Sequence, residues 1–267
     1  MRRKLKNIAD VCLLFSSPLF IIFFLLFWEI AVNVLNIDKW ILPAPSAILK
    51  SFYYSLDLIT FHAQWTLFEA LLGLIVGLVT GSVIAVIMQW SETIKKMIYP
   101  LIILTQTIPF ITIAPLLVIW FGYTLTAKII IIALVCFFPV AINLENGFSS
   151  VEYNFIKLIH SLGGNRWQLF SLVKLPFSLP FFFSGIKIAA SYAILSAVIS
   201  EWIGSDRGLG ILLIRSSKSY LTDRVFAVVL VISLLSMVLV RLIDSIAVKL
   251  LPWHYHNQLM EWKKEKL

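Results

Sequence analysis

The chain has 267 residues, of which 60% are hydrophobic and only 13% are charged, and its formal net charge is +8 at pH 7. This composition, with a mean hydropathy of +0.93, excludes an ordinary water-soluble protein and predicts an all-α integral membrane protein. The positive charge forms no basic stripe interleaved with aromatic residues, so a nucleic-acid partner is not expected.

Six apolar stretches are long enough to cross a bilayer as helices, which takes about 20 residues each. They cover residues 17–37, 66–90, 101–121, 127–148, 177–203 and 226–248. We expect a cytosolic N-terminal segment 1–16, a first transmembrane helix 17–37, a transmembrane domain of five helices over 60–250, and a cytosolic tail 251–267. The first stretch is interpreted as a retained span, because it is longer than the apolar region of a signal peptide.

Lysine and arginine residues collect on one side of these six spans, which predicts the orientation of the chain. Both termini and the connections 91–100 and 149–176 carry most of the basic residues. These segments, including both termini, are therefore expected in the cytosol, and the chain is expected to be a multi-pass membrane protein. Glu29 and Asn33, one helical turn apart in the first span, suggest a face turned toward protein.

The second span carries Gly73, Gly77 and Gly81 at four-residue spacing. Small residues at this spacing allow another helix backbone to approach closely. We interpret the ladder as a packing surface, with a solute-lining role as the alternative. The two cysteines, Cys12 and Cys136, have no spacing typical of a disulfide or metal framework and are interpreted as packing residues.

The third span is expected to be a broken helix, because Pro109 removes a backbone hydrogen bond near the middle of the membrane. Gln106, Thr107 and Thr112 surround the break. Broken helices at membrane depth are tolerated where they face protein or a water-filled cavity. These four residues are therefore candidates for a solute path, and a kinked packing helix is the alternative.

A polar interruption, Lys157 to Pro176, separates the fourth and fifth spans. Gly163 and Gly164 can turn the chain sharply, and Asn165 with Gln168 has the spacing of a helix-capping box. We expect a short helix to follow and to end at Leu175-Pro176. Its aromatic and cationic face suits docking into a groove of a cytosolic partner, or alternatively burial among lipid headgroups. The candidate docking residues are Gly163, Gly164, Arg166, Trp167, Phe170, Lys174, Leu175 and Pro176, with Val173 on the same side as Arg166 and Phe170.

Tyr192, Ser196 and Ser200 recur every fourth residue in the fifth span and form a polar stripe that ends beside Glu201. The stripe is a second candidate for the solute path, with interhelical hydrogen bonding as the alternative. In the sixth span, Arg241 and Asp244 are three residues apart and are expected to pair. His254 and His256 lack further ligands at metal-binding spacing, so no metal site is expected.

The cytosolic loop resembles the signature loop of bacterial ABC-importer permeases, whose pattern is Glu-Ala-Ala, three residues, Gly, nine residues and Ile-x-Leu-Pro. Here Gly163 is followed after nine residues by Val173-Lys174-Leu175-Pro176, while Lys157-Leu158-Ile159 stands in place of Glu-Ala-Ala. Other segments resemble the nitrate, taurine and sulfonate permeases, and within them the branch associated with thiamine-precursor pyrimidines (hydroxymethylpyrimidine) and riboflavin. These segments are Leu42-Pro43-Ala44-Pro45-Ser46, Thr105-Gln106-Thr107-Ile108-Pro109, Ala114-Pro115-Leu116, Glu201-Trp202-Ile203-Gly204, Gly208-Leu209-Gly210 and Leu251-Pro252-Trp253-His254.

This resemblance implies a type I ABC-importer permease fold and a homodimer in the bacterial plasma (inner) membrane. It further implies two cytosolic ATPase subunits docked on the signature loops and an extracytosolic binding protein that delivers the solute. The chain has no P-loop motif, so ATP and Mg²⁺ are expected on the partner ATPase, and no cofactor and no catalytic residue are expected on this chain. A membrane enzyme would need a catalytic cluster, and a secondary transporter would favour inverted repeats and a carboxylate near the midplane.

Overall fold

The computed structural model describes residues 19–254, which form helices joined by short connections and contain no strand. The helices are α1 (Leu19–Val34), α2 (Pro45–Tyr54), α3 (Leu56–Trp90), α4 (Glu92–Thr107), α5 (Phe110–Phe121), α6 (Leu125–Ser149), α7 (Tyr153–Ser161), α8 (Arg166–Leu169), α9 (Leu175–Glu201), α10 (Leu209–Lys218) and α11 (Thr222–Leu250), with a π-helical turn over Phe170–Lys174. The expected segment 1–16, Cys12, His256 and most of the tail 251–267 lie outside the described residues.

Four of these helices are long and apolar enough to cross a membrane: α3, α6, α11 and the continuous helix Arg166–Glu201, which contains α8, the π-helical turn and α9. Helices α4 and α5 form a fifth span if the pair, bent by 96°, is counted as one. Within the described residues α1 is apolar but shorter than these spans. The all-helical membrane fold is thus confirmed, with the third predicted span built as a sharply bent pair.

The described chain divides into two compact units, one comprising residues 19–60 with Leu212–Leu230 and the other Phe61–Ile211 with residues 231–254. In the first unit, Glu29 accepts hydrogen bonds from the Ser46 backbone N (3.0 Å) and Oγ (2.7 Å). Asn33 donates to the backbone oxygen of Glu29 at 2.8 Å. Because α2 begins at Pro45 and Ala44 offers no side-chain cap, the Glu29 carboxylate supplies an acceptor at the start of this helix.

The core of the second unit is built where α3 and α9 pack against α6. A Cβ atom at Gly77 would lie 2.7 Å from Cys136 Cβ, and one at Gly81 would lie 2.6 Å from the Phe137 carbonyl oxygen. Helix α9 packs equally closely against α6, because a Cβ atom at Gly185 would lie 2.7 Å from the Pro139 carbonyl oxygen. The prediction that the glycine ladder is a packing surface is confirmed.

The predicted pair of Arg241 and Asp244 is wrong, because Asp244 forms its ion pair with Lys187 of α9 instead. Spacing along one helix predicts only which residues of that helix are neighbours. The α9 helix, packed beside α11, brings a lysine to the same carboxylate, and this contact between distant residues has no signal in local spacing.

Candidate functional site

The turn predicted at Gly163 and Gly164 is present in the polar loop between α6 and α9. Gly163 has a φ of 76°, a conformation that favours glycine. Asn165 Oδ1 accepts from the Gln168 backbone N at 2.8 Å, and Gln168 Oε1 accepts from the Asn165 backbone N at 2.8 Å. The predicted capping box is therefore confirmed, and it fixes the direction in which the following helix leaves the turn.

The prediction that this helix ends at Leu175-Pro176 is wrong. The chain passes from α8 through the π-helical turn Phe170–Lys174 directly into α9, with Pro176 in the first turn of α9. Proline has no backbone N–H with which to continue the helical hydrogen bonds. The π-helical turn changes the hydrogen-bond register one turn before Pro176, so the helix does not need that donor. The loop and the fifth span are consequently one continuous helix, Arg166–Glu201.

The predicted docking face of this helix is only partly on the surface. Phe170 and Val173 are buried, and the Phe170 ring lies 5.6 Å from the rings of both Trp90 and Phe148. Trp167 is 60% exposed but stacks on Trp90 with 6.0 Å between ring centroids. The helical pattern alone did not reveal that the ends of α3 and α6 cover one side of the short helix.

The sequence did not single out α7 as a helix, and α7 adds exposed apolar side chains to this loop. Ile156 and Ile159 pack against Val151, Leu169 and Val173. This i, i+3 pair was the signal that could have identified the helix. On the other side of the loop the exposed side chains are Tyr153, Leu158 and Leu162, with Lys157 Nζ 4.6 Å from the Tyr153 ring centroid.

Helices α4 and α5 meet at the predicted break. Thr107 is the last residue of α4 and Phe110 the first of α5, so Ile108 and Pro109 separate them. Thr107 and Thr112 donate their hydroxyls to the carbonyl oxygens of Leu104 (2.8 Å) and Pro109 (2.7 Å). Their hydroxyls therefore serve backbone groups near the break and do not line the adjoining cavity.

A cavity of about 360 Å³ lies beside this break and brings together two of the predicted path residues, Gln106 and Tyr192. Thr105 is the remaining polar side chain of its wall, and Phe110 and Phe138 are aromatic, as is Tyr192. The rest of the wall is Ile, Leu and Val, and no charged residue is among those that line it. Such a wall suits an uncharged ligand with an apolar body and a few hydrogen-bonding groups.

Ser196 and Ser200, by contrast, do not reach this cavity. Both are buried, and their hydroxyls donate to the carbonyl oxygens of Tyr192 and, at 2.8 Å, Ala197 in their own helix. Hydroxyls in a membrane helix can satisfy their hydrogen bonds in this way without any solvent. Of the predicted stripe, only Tyr192 lines the cavity.

Glu201 is fully buried and binds the connection between α9 and α10. Its Oε1 accepts from Thr66 Oγ1 at 2.7 Å, and its Oε2 accepts from the Gly210 backbone N at 2.5 Å. Thr66 Oγ1 accepts from the Leu209 backbone N at 2.7 Å, and His62 Nδ1 from the Gly208 backbone N at 3.0 Å. We call Glu201, Thr66 and His62 the α10 clamp, because they bind three consecutive N–H groups where α10 begins.

The α10 clamp explains the glycines of this connection. Gly208 has a φ of 113°, and a Cβ atom there would collide with the Glu201 carboxyl group. Beside it, Lys128 Nζ contacts Glu69 Oε1 at 2.6 Å and Ser205 Oγ at 2.8 Å. Glu201 thus belongs to a buried polar cluster at the start of α10, and its place on the solute path stays a prediction.

Comparison with known proteins identifies the family. Residues 73–252 match the family described as binding-protein-dependent transport system inner membrane component. The chain belongs to this family. As a binding-protein-dependent permease it is 32% identical to the formylaminopyrimidine transport permease protein ThiX of Halalkalibacterium halodurans, over 89% of this chain and 95% of that one. It is 28% identical to the riboflavin transport system permease protein RibX of Chloroflexus aurantiacus, over 88% and 89% of the two chains.

The solved structures agree with this assignment at the level of the fold. The permease resembles a chain in the crystal structure of an amino acid ABC transporter with histidines, with a TM-score of 0.59 and 20% identity over 74% of this chain and 94% of that one. Sulfonate and taurine transport permeases are also among its relatives. The predicted ABC-permease fold and the resemblance to the nitrate, taurine and sulfonate group are confirmed.

Proposed function

We propose that this permease forms the membrane path of an ATP-driven importer for a thiamine-precursor pyrimidine. The observation that carries the substrate class is the uncharged wall of the cavity, where Gln106, Thr105 and Tyr192 face apolar and aromatic side chains. A pyrimidine offers ring nitrogens and an exocyclic amino group for the Gln106 amide and the Tyr192 hydroxyl, and flat faces for Phe110 and Phe138. The Thr105 hydroxyl donates to the Ile102 carbonyl oxygen at 2.6 Å. The likeness to ThiX supports the same substrate class.

The proposed assembly contains two copies of this chain, two cytosolic ABC ATPase subunits and an extracytosolic solute-binding protein. ATP and Mg²⁺ bind to the ATPase, because the chain lacks a P-loop. The ATPase docks on the loop 157–176 and on α7, where Tyr153, Leu158 and Leu162 are exposed. This assignment places both termini and the α7 side of the membrane domain in the cytosol, and the α10 clamp at the opposite surface.

Solute uptake into proteoliposomes that contain the permease with its ATPase and binding protein tests this proposal. We expect ATP-dependent uptake of hydroxymethylpyrimidine or a formylaminopyrimidine. Gln106→Ala is expected to reduce uptake about three- to tenfold, the effect of losing one hydrogen bond of about 1 kcal/mol. Thr107→Ala is the matched control, because Thr107 is adjacent but its hydroxyl bonds the Leu104 carbonyl outside the cavity.

The competing solutes separate the possible outcomes. Uptake of riboflavin alone would make the solute a flavin, as for the RibX relative. The inference that the uncharged cavity wall binds a neutral ring would still hold. Uptake of taurine or another sulfonate, without any response to pyrimidines, would refute the argument from the uncharged cavity wall. Equal uptake by the Gln106→Ala and Thr107→Ala variants would show that the cavity does not bind the solute.

A further inference from the structure

A second polar surface lies in the membrane-spanning part of α9, on the side of the helix that neighbouring helices leave uncovered. Ser184, Lys187 and Ser191 follow each other at i, i+3 and i+7 and therefore share one helix face. Ser184 and Ser191 are exposed and donate their hydroxyls to carbonyl oxygens of their own helix at 3.0 and 3.1 Å. Lys187 lies between them.

Helix α11 contributes the matching half of this surface. Arg241, Asp244 and Ser245 follow the i, i+3, i+4 spacing of one face, and Asp244 forms the ion pair with Lys187. The Lys187 side chain is 29% exposed and the Asp244 side chain 46%. We call Ser184, Lys187, Ser191, Arg241, Asp244 and Ser245 the α9–α11 polar strip.

The positions of Lys187 and Asp244 along their helices place this strip inside the membrane-spanning segments, toward the predicted cytosolic side. Lys187 is twelve residues after Leu175 in the 27-residue helix α9, and Asp244 is six residues before the end of α11 at Leu250, or about 18 Å and about 9 Å at a rise of 1.5 Å per residue. Charged groups within spans are unfavourable when they face lipid, by about 3 kcal/mol at the centre of a helix, and they normally face protein or a water-filled cavity. An exposed ion pair with three serines around it is therefore not a lipid-facing surface.

The strip also adjoins the cavity. Tyr192 and Leu195 line the cavity and are exposed along α9 together with Ser191 and Ile188. Lys187 precedes Tyr192 by five residues, or about 7.5 Å along the helix axis, toward the end of α9 that is predicted to be cytosolic. The uncovered side of one helix thus carries both the cavity and the polar strip.

We infer that the α9–α11 polar strip lines the translocation path on the cytosolic side of the cavity, and that the Lys187–Asp244 ion pair joins α9 to α11 there. This inference rests on the proposed function and adds residues to the path. Asp244 compensates the charge of the Lys187 ammonium, and Arg241 leaves the strip with a net positive charge. In the assembled importer the strip faces water, opposite the same strip of the second copy.

Thiol labelling tests whether the strip faces water. In a variant with Cys12→Ser and Cys136→Ala, single cysteines are introduced by Ser184→Cys or Ser245→Cys, which keep the ion pair intact. Leu242→Cys and Ile246→Cys are the controls, because both residues are on α11 and comparably uncovered, at 56% and 49%. A charged, membrane-impermeant methanethiosulfonate is applied to the assembled transporter in proteoliposomes, with and without a trapped nucleotide.

The strip positions are expected to react at least about tenfold faster than the control positions, because the reactive thiolate forms in water and not in hydrocarbon. Their rate is also expected to change when nucleotide is trapped, as a path that opens alternately requires. Equal rates at strip and control positions in both states would overturn the inference. Slow labelling of the strip in both states would also overturn the inference, because it would show that the strip is covered by the second copy or by lipid and does not face water.

Charge variants give an independent readout. Asp244→Asn or Lys187→Gln should lower uptake about tenfold while leaving the complex with the ATPase intact, since the loss of the pair leaves one charge uncompensated. The exchanged pair, Lys187→Asp with Asp244→Lys, should recover part of that loss. Normal uptake by both single variants would contradict a role for the pair in the path. Labelling needs no substrate, so its result stays informative if the pyrimidine proposal fails.

Discussion

Removing one hydroxyl from the α10 clamp should destabilise the protein far more than removing a comparable hydroxyl elsewhere on the same helix. The change is Thr66→Val, which keeps the shape of the side chain. Thr66 Oγ1 donates to Glu201 and accepts from the Leu209 backbone N, both at 2.7 Å, and the residue is fully buried. Valine can do neither, so one buried donor and one buried acceptor lose their partners.

The expected cost follows from those two groups. A buried polar group left without its hydrogen bond costs about 1–3 kcal/mol, so the two together should lower the free energy of unfolding by about 2–6 kcal/mol. The control is Thr80→Val in the same helix, because Thr80 Oγ1 donates only to the carbonyl oxygens of Val76 and Gly77 in α3 itself. Those carbonyls keep their helical hydrogen bonds, so a change within about 0.5 kcal/mol is expected.

Denaturant unfolding of the purified permease, followed by tryptophan fluorescence, measures both variants against the wild type. Hydrogen exchange with mass spectrometry adds a local readout, since the amides of residues 208–210 should exchange faster in Thr66→Val and not in Thr80→Val. If the two variants differ by less than about 0.5 kcal/mol and exchange alike, the clamp does not hold the start of α10.

Three further results are expected. Gly77→Val should reduce the stability of the protein by about 1–3 kcal/mol, measured by thermal unfolding, because its side chain would enter the space of Cys136 on α6. Leu158→Arg should reduce co-purification with the ATPase while leaving the permease stable, whereas Phe170→Ala, which empties a buried site, should cost about 3–5 kcal/mol of stability. Reporter fusions after residue 60 and at the C-terminus should give opposite location signals, and matching signals would contradict the six-span topology.

Features that depend on neighbours along the chain were predictable from the sequence. The capping box of Asn165 and Gln168 formed as expected, because each side chain bonds a backbone group only three residues away. The glycine ladder of α3 and the break before Pro109 belong to the same class, since each follows from the steric properties of one residue type at one spacing.

Features that depend on which helices become neighbours were not predictable. The sequence showed Glu201 only as the end of a polar stripe, and nothing in it indicated the partners of this residue, which are Thr66, 135 positions earlier in the chain, and the start of α10. Asp244 was paired with the nearest basic residue in its own helix, whereas α9 supplies Lys187. In both cases the side-chain chemistry was evident, and the partner was fixed by tertiary packing.

The error at Pro176 has the largest mechanical consequence. A helix that ended there would join the cytosolic loop to the fifth span through a flexible link, and movement of the loop would be lost in that link. Instead the helix Arg166–Glu201 runs for 36 residues, about 54 Å at 1.5 Å per residue. Trp167 of the loop and Tyr192 of the cavity are on this one rod, with the π-helical turn between them. A partner that pulls on the proposed docking loop would therefore move the cavity wall directly. The π-helical turn and Pro180 are the positions between Trp167 and Tyr192 where bending costs least, because the helical hydrogen bonds are already interrupted there.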